Sequence, residues 1–466
     1  MVLFMPAWLA SIRLDSLWLF IAIAVVAILA LELALLPKRA HIASAKQDAR
    51  DSTVPDVSRP RRQLVLVALI AGIVTALLAT LAFWLLMDVW NIFRIQVGWR
   101  TRIAWSLGLG LAGAGAAVLF QSRRLRPGKR RALGAATLVS AILAVALAIN
   151  LDAGAVHTVG DLFPKGPVPT FTAQAGATES ARPAASSPIT EAQWQKPADQ
   201  PDSGKLYQAQ IPATTSGFPA RPAYIWLPPA AQTSQPPALP VMVMLAGQPG
   251  GPGDLFTAGQ FQTILESYAA AHNGLAPIVV VPDQLGTPEV NPLCVDGPAG
   301  NSRTYLEQDV PAWILANLPV AHDRTAWTFG GFSQGGTCAY QIGLDQPDRY
   351  GSVISIAGEL TPSLGNEANT IVQGFGGDTA KYEQAKPTSI MKSHAPYRDV
   401  TLFHIVGGND SWFQNFADQL TSVAKDSGIT VVSLTSPGTG HDFRTVSYAL
   451  EHVLPQVVVR SGMVPA

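Results

Sequence analysis

The chain has 466 residues, 48% of them hydrophobic and 14% charged, with a formal net charge of +0. So apolar a composition excludes a wholly water-facing protein and points to membrane segments beside a folded domain. The neutral total conceals a division, because residues 1–152 hold 17 Lys and Arg against 7 Asp and Glu while the remainder holds 15 against 25. The basic residues cluster between apolar stretches and not on a soluble face, which argues against nucleic acid as a partner.

Four stretches are long and apolar enough to cross a bilayer, which takes roughly 20 residues each. They run about Leu17–Leu36, Leu64–Met87, Ile103–Gln121 and Ala132–Leu151, making residues 1–151 a transmembrane region of four helices. The first is too long for a signal-peptide core, and three further spans follow it. The first connection carries Lys38, Arg39, Lys46, Arg50, Arg59, Arg61 and Arg62, and the third carries Arg123, Arg124, Arg126, Lys129, Arg130 and Arg131. The second has only Arg94, Arg100 and Arg102, and the N-terminus only Arg13. Positive charge marks the cytoplasmic side, so the expected location is a multi-pass cytoplasmic membrane protein with its N-terminus and everything after the fourth span outside the cytoplasm. Trp84, Trp90, Trp99 and Trp105 crowd the second connection as an outer aromatic belt would. Glu32 sits near the cytoplasmic end of the first span, where its carboxylate can reach the interface. Gly108, Gly110, Gly113 and Gly115 read as a close-packing surface between helices.

Residues 152–203 are rich in Pro, Ala, Ser, Thr and Gln, as in Ala181–Pro188, and read as an extracytoplasmic tether unable to bury enough surface to fold. From residue 204 to 466 short apolar runs alternate with helix-like pieces. The runs are Tyr207–Ile211, Ala223–Leu227, Val241–Leu245, Ile278–Val281, Ala326–Phe329, Ser352–Ile356, Leu402–Val406 and Thr430–Leu434. The helical pieces include Leu306–Leu318, Gly335–Gln346 and Trp412–Ser427. Such alternation predicts an α/β domain, a mostly parallel sheet with helices on both faces.

Gly331-Phe332-Ser333-Gln334-Gly335 matches Gly-x-Ser-x-Gly. The pattern alone is weak. Its setting, the apolar run Trp327–Phe329 before it and a helical stretch after it, is that of a nucleophile elbow. A serine hydroxyl needs a base. In this arrangement the chain order is serine, acid, histidine, which selects His441 in the loop Pro437-Gly-Thr-Gly-His441. His394 and His404, placed at the start of or within a strand, and His452, placed in the final helix, read as packing or surface residues. Asp410, in Gly407-Gly-Asn-Asp410 after an apolar run, is the expected acid, with Glu359 in reserve; Asp also favours helix N-caps. The oxyanion donors expected are the backbone N–H groups of Gln334, directly after the nucleophile, and of Gln248, in the loop Ala246-Gly-Gln-Pro-Gly-Gly-Pro-Gly253. That loop lacks a Lys-Ser/Thr ending and a Gly-x-Gly-x-x-Gly spacing, so a nucleotide site is not expected. No Cys-x-x-Cys pair exists, and neither a metal nor a cofactor is called for.

Taken together, residues from about Leu239 to Pro455 resemble the esterase-D-like family of α/β-hydrolases, which includes mycolyltransferases and enterochelin esterases. The resemblance rests on Leu245-Ala-Gly-Gln248, Tyr305–Trp313, Gly331–Gly336, Gln346-Pro-Asp-Arg-Tyr350 leading to Ser355–Gly358, Gly407–Asp410 and Gly440-His-Asp-Phe443. It implies an α/β-hydrolase fold preceded by the four-helix region and a Ser333–His441–Asp410 triad. Phe443 stands where many members carry a tryptophan, and Gln248-Pro249 replaces more familiar oxyanion-loop residues. The implied activity is hydrolysis of carboxylic esters through an acyl-enzyme at the outer membrane face, with a lipid or envelope glycolipid ester as substrate and membrane lipid as neighbour. Two alternatives stay open, an acyltransferase of the mycolyltransferase type and an inactive sensor or scaffold. In this fold the two cysteines, Cys294 and Cys338, both fall near the carboxyl end of the sheet, and an outside location permits oxidation. Whether they bridge depends on Cα atoms within about 7 Å.

Overall fold

The computed structural model describes residues 6–36, 58–90, 98–121, 128–163, 166–172 and 186–465. Eight of the seventeen basic residues that set the expected orientation, Lys38, Arg39, Lys46, Arg50, Arg94, Arg123, Arg124 and Arg126, lie outside these. The chain divides into two compact units, Met1–Pro164 and Lys165–Ala466.

The first unit contains four helices long and apolar enough to cross a membrane, Leu17–Leu35, Arg62–Val89, Trp99–Gln121 and Gly128–Ala153. Small residues let them approach closely, as the glycine run predicts: a Cβ at Gly110 would lie 2.9 Å from Cβ of Ala76 on the preceding helix. Polar groups gather at one end. Asp88 takes a two-pronged bond from Arg102 at 2.6 and 2.7 Å. Asn150 closes the turn after the last helix, accepting from Val156 N–H at 2.9 Å and donating to its C=O at 2.7 Å. Asp15 meets His157 at 3.2 Å. Glu32 is exposed in the last turn of the first helix.

The expected tether over residues 152–203 is corrected at both ends. Residues up to 163 belong to the first unit, where Val159 N–H bonds Ile12 C=O at 2.9 Å. Residues 166–172 and 186–203 pack on the second unit. Phe171 N–H bonds Gln208 C=O at 2.6 Å, Ile189 N–H bonds Ala238 C=O at 2.9 Å, and Glu191 N–H bonds Met463 C=O at 2.8 Å. The reason is local: Phe171, Ile189 and Trp194 pack against the hydrophobic core, and the polar composition averaged over the segment hides three anchoring side chains. Residues 173–185 lie outside the described residues.

The second unit is built on an eight-stranded sheet. Its strands are β1 (Lys205–Ala209), β2 (Ala223–Leu227), β3 (Val241–Leu245), β4 (Ile278–Val281), β7 (Trp327–Phe332), β8 (Ser352–Ile356), β9 (Thr401–Gly407) and β10 (Thr430–Ser436), and a two-residue pair, β5 (Asp296–Gly297) and β6 (Gly300–Asn301), lies apart. The order is β1-β2-β4-β3-β7-β8-β9-β10. β1 pairs with β2 and β2 with β4 in antiparallel fashion, and every pairing beyond is parallel. This is the α/β-hydrolase fold. β3, β4, β7 and β8 are buried along their whole length, because helices cover both faces and no residue alternates to water. That burial is why these strands read as unbroken apolar runs. Four of the eight predicted runs coincide with observed strands, and the others differ by one to three residues at an end.

Cys294 and Cys338 form a disulfide with Cα atoms 5.6 Å apart, joining the loop after β4 to the helix Gln334–Cys338. His394 departs from its expected position at a strand; it follows the helix Pro387–Ser393, where its ring meets Asp345 at 2.8 Å. His404 lies in β9 as expected and is buried, with Tyr340 Oη 2.6 Å from Nε2 and Thr421 Oγ1 3.4 Å from Nδ1. Burial pushes its pKa down to about 4. Between about pH 6.5 and 4 the unfolded chain then holds a proton on this imidazole that the folded chain lacks. The stability His404 contributes is complete above pH 6.5 and is lost as pH falls toward 4. We therefore expect thermal unfolding of the full chain in detergent, followed by tryptophan fluorescence, to fall more between pH 7 and 4.5 for wild type than for His404→Gln. The extra loss should be on the order of 2–3 kcal/mol, and equal losses in the two proteins would show that His404 is not buried neutral.

Candidate active site

β7 ends at Phe332 and the helix Gln334–Cys338 begins one residue later, so Ser333 alone makes the turn. It does so at φ 57° and ψ −118°, a strained backbone for a residue with a side chain. The flanking glycines follow from the tightness of that turn. A Cβ at Gly331 would lie 2.5 Å from the carbonyl carbon of Gly335, and one at Gly335 would lie 2.6 Å from the carbonyl oxygens of Leu245 and Ala246. The elbow is therefore wedged against the end of β3. It is tied to the sheet by Ser333 N–H bonding Ile356 C=O at 2.8 Å.

His441 Nε2 lies 2.8 Å from Ser333 Oγ. Behind the ring, His441 Nδ1 lies 3.3 Å from Asp410 Oδ2, with the two side chains 7% and 2% exposed. These two atoms are within ion-pair distance but off-line for a hydrogen bond, and neither has another hydrogen-bond partner. Asp410 also caps the helix Ser411–Asp426 through Phe413 N–H at 3.5 Å. The cap fixes the carboxylate that faces the imidazole. Glu359 is elsewhere, its N–H bonded to Thr337 Oγ1 on the elbow helix at 2.9 Å.

The acid and histidine loops are stitched together by Asn409 N–H to Thr439 C=O at 2.8 Å. Asp442 caps the final helix, Phe443–Ser461, and accepts from Gly440 N–H at 2.7 Å. Aromatic rings wall the imidazole, with the Phe413 centroid 4.2 Å and the Phe332 centroid 5.0 Å from its own. Phe443 packs on Phe332 at 5.7 Å.

Gln334 opens its helix, so its backbone N–H lacks an intrahelical partner. Gln248 lies in the loop after β3, beside the nucleophile: a Cβ at neighbouring Gly247 would be 3.3 Å from Ser333 Cβ. The Gln248 side chain reaches the other way, donating to Glu289 C=O at 3.1 Å. Four further residues, which motif reasoning missed, brace this loop. Arg221 donates to Gly250 C=O at 2.9 Å and pairs with fully buried Asp283 at 2.7 Å. That hydrogen bond to Asp283 raises the Arg221 pKa further. Asp254 accepts from Gly251 N–H at 2.8 Å, and burial pushes its carboxyl pKa up. Buried Gln284 donates to Ala246 C=O at 2.7 Å. The only advance signal was Pro282-Asp283-Gln284 directly after an apolar run, at the end of the sheet where sites form.

Among the described residues no group of three or more His, Cys, Asp or Glu is placed to hold a metal ion. A cavity of about 480 Å³ borders Trp327, the first residue of β7, with Asp345 and His394. It lies at the opposite end of that strand from Ser333 and takes no part in this constellation.

The Esterase family model matches residues 220–444. An uncharacterized protein of Corynebacterium glutamicum is 32% identical over 419 residues, covering 87% of this chain and 92% of its own length. The MPT51 antigen of Mycobacterium leprae is 33% identical over 103 residues, 21% of this chain and 34% of that protein. Among solved structures, a ferulic acid esterase has 18% identity and a TM-score of 0.48, over 57% of this chain and 100% of that one. The family match spans Ser333, Asp410 and His441, and the Corynebacterium relative extends the likeness along most of the molecule; the chain belongs to the Esterase family of serine hydrolases.

Proposed function

We propose that this protein is a membrane-anchored esterase that cleaves carboxylic esters outside the cytoplasm through a Ser333–His441–Asp410 acyl-enzyme mechanism. The observation that carries the reading is the 2.8 Å approach of Ser333 Oγ to His441 Nε2 with Asp410 behind the ring. Ser333 Oγ attacks the ester carbonyl carbon as its proton passes to Nε2. The negative charge that develops on the carbonyl oxygen meets the N–H groups of Gln334 and Gln248. Collapse breaks the acyl–oxygen bond, and the alcohol leaves with the proton from His441. Water then enters, gives a proton to Nε2 and releases the acid, returning the proton to Ser333. Asp410 keeps the imidazole in the tautomer that can accept at Nε2 and stabilises it when charged. Phe332, Phe413 and Phe443 favour an apolar acyl group, and the four apolar helices support a lipid or envelope ester as the substrate. The same aromatic enclosure suits a second reading, in which a sugar or lipid hydroxyl takes the acyl group in place of water. The geometry argues against an inactive scaffold, since the three side chains meet.

Ser333→Ala should abolish labelling by a fluorophosphonate probe and lower turnover of a p-nitrophenyl ester at least about 10⁴-fold. Activity within tenfold of wild type would remove Ser333 from its role.

Asp410→Asn separates the two duties of that residue, because Asn caps helices as well as Asp does. Unfolding stability should change by less than about 1 kcal/mol while kcat falls roughly 10³–10⁴-fold. A loss of stability with kcat retained would reduce Asp410 to a cap.

The arrangement across the membrane follows from the basic connections, and the Cys294–Cys338 bridge suits an oxidising compartment. Alkaline phosphatase fused after Ala466 should be active and the same enzyme inserted near Lys129 inactive; the reverse pattern would put the catalytic unit in the cytoplasm.

A further inference from the structure

The two N–H groups assigned to the oxyanion come from separate elements, the loop after β3 and the elbow helix. Their spacing must be held to a fraction of an ångström for both to meet one oxygen. One side chain grips both elements. Gln284, 1% exposed, sends its Nε2 to Ala246 C=O at 2.7 Å and to Gln334 Oε1 at 2.9 Å. Gln334 passes the chain on, from Nε2 to Asn291 Oδ1 at 3.1 Å, and Asn291 Oδ1 also accepts from Leu293 N–H at 2.9 Å. Gln334 Nε2 further lies 3.2 Å from Cys338 Sγ. Gln284 is itself fixed from behind, where its C=O accepts from Ser302 Oγ at 2.9 Å.

The direction of this relay is determined. At one end stands a backbone carbonyl, which can only accept, and at the other a backbone N–H, which can only donate. Reversing any carboxamide between them would set oxygen against oxygen or N–H against N–H, so Gln284, Gln334 and Asn291 have one consistent orientation. Both hydrogens of the Gln284 amide are committed, one to each half of the oxyanion site. A buried amide that lost one of these partners would carry an unsatisfied group.

From this geometry we infer that Gln284 is a positioning residue of the esterase site, a clamp that sets the distance between the oxyanion donors on the β3 loop and on the elbow helix. The inference rests on the acyl-enzyme reading. Gln284 does not touch the substrate; it acts through Ala246 and Gln334. Loss of the clamp should weaken binding of a tetrahedral oxyanion while sparing binding of the flat ester.

The test uses the full chain in detergent with a p-nitrophenyl butyrate substrate and a trifluoromethyl ketone, which adds to serine to give a tetrahedral oxyanion. Gln284→Met, similar in length but without donors, should lower kcat about 10- to 100-fold, below the loss for deleting an oxyanion donor outright. KM should stay within about threefold, and the ketone inhibition constant should rise in step with the fall in kcat. A purely structural role would lower the active fraction, counted by fluorophosphonate titration, and leave kcat per titrated site and the ketone constant unchanged; that result overturns the inference. Gln334→Met keeps the Gln334 backbone N–H and deletes the carboxamide that Gln284 grips. It should reproduce the effect, and it serves should Gln284→Met fail to fold. The double variant should lose little more than either single one, and losses that multiply would also overturn the clamp. Failure of the parent reading looks different, since wild type itself would then show neither ester turnover nor Ser333-dependent labelling.

Discussion

The contact on which the rest of the site depends is the wedge of Gly335 against the carbonyls of Leu245 and Ala246. It brings the elbow helix down onto the end of β3 so closely that no side chain fits between, and it leaves Ser333 as the single residue that turns the chain. The strained φ of Ser333 is held because both sides of the turn are over-determined, β7 by its neighbours β3 and β8 and the helix by its packing. Once the wedge is set, the β3 loop must leave past the nucleophile, and the two candidate oxyanion donors fall on either side of one serine. The histidine and acid need only to arrive from β9 and β10, which the parallel sheet places in order.

Asp410 shows how little extra structure this arrival requires. A helix N-cap is a local need that an aspartate meets anyway, and the same cap orients the carboxylate toward His441. The β9 and β10 loops share a backbone hydrogen bond between Asn409 and Thr439, which ties the loop that carries Asp410 to the loop that carries His441. Asp442 repeats the device one loop later, capping the final helix and holding Gly440 beside the histidine.

These local devices explain what was legible in the sequence. Buried parallel strands leave unbroken apolar runs, so β3, β4 and β8 could be found from patterns of neighbouring residues, and the elbow leaves glycines at fixed offsets, which single out Ser333, Asp410 and His441 as candidates. Gln284, Arg221 and Asp283 could not. Gln284 contacts Ala246 and Gln334, 38 and 50 residues away, and its place just after the apolar run of β4 is all that its own neighbourhood offers. The tether was misread for the opposite reason. Its composition is that of a disordered segment, but Phe171, Ile189 and Trp194 each find a place on the core, and single anchors carry no period. His394 was misplaced because the short helix Pro387–Ser393 before it has too few turns to show an apolar stripe.

The supports of the oxyanion loop also divide by charge in a way that electrostatics makes intelligible. Nearest the nucleophile stand the carboxamides of Gln284, Gln334 and Asn291, joined in a relay that is fully polar but uncharged. A carboxylate there would repel the oxyanion as it forms, and an unpaired ammonium or guanidinium would carry a large desolvation cost. Amides supply direction without either penalty. The charged brace, Arg221 with Asp283, stands at the far end of the same loop, where Gly250 C=O takes one guanidinium N–H and the buried carboxylate takes two others. Asp283 is saturated further by the N–H groups of Leu285 and Gly286 at 3.1 and 3.0 Å, so its charge is spent locally. Asp283 and Gln284 are adjacent in the chain, and the single turn after β4 thus steadies both ends of the loop, with the neutral residue bonded to Ala246 and the elbow helix and the ion pair bonded to Gly250.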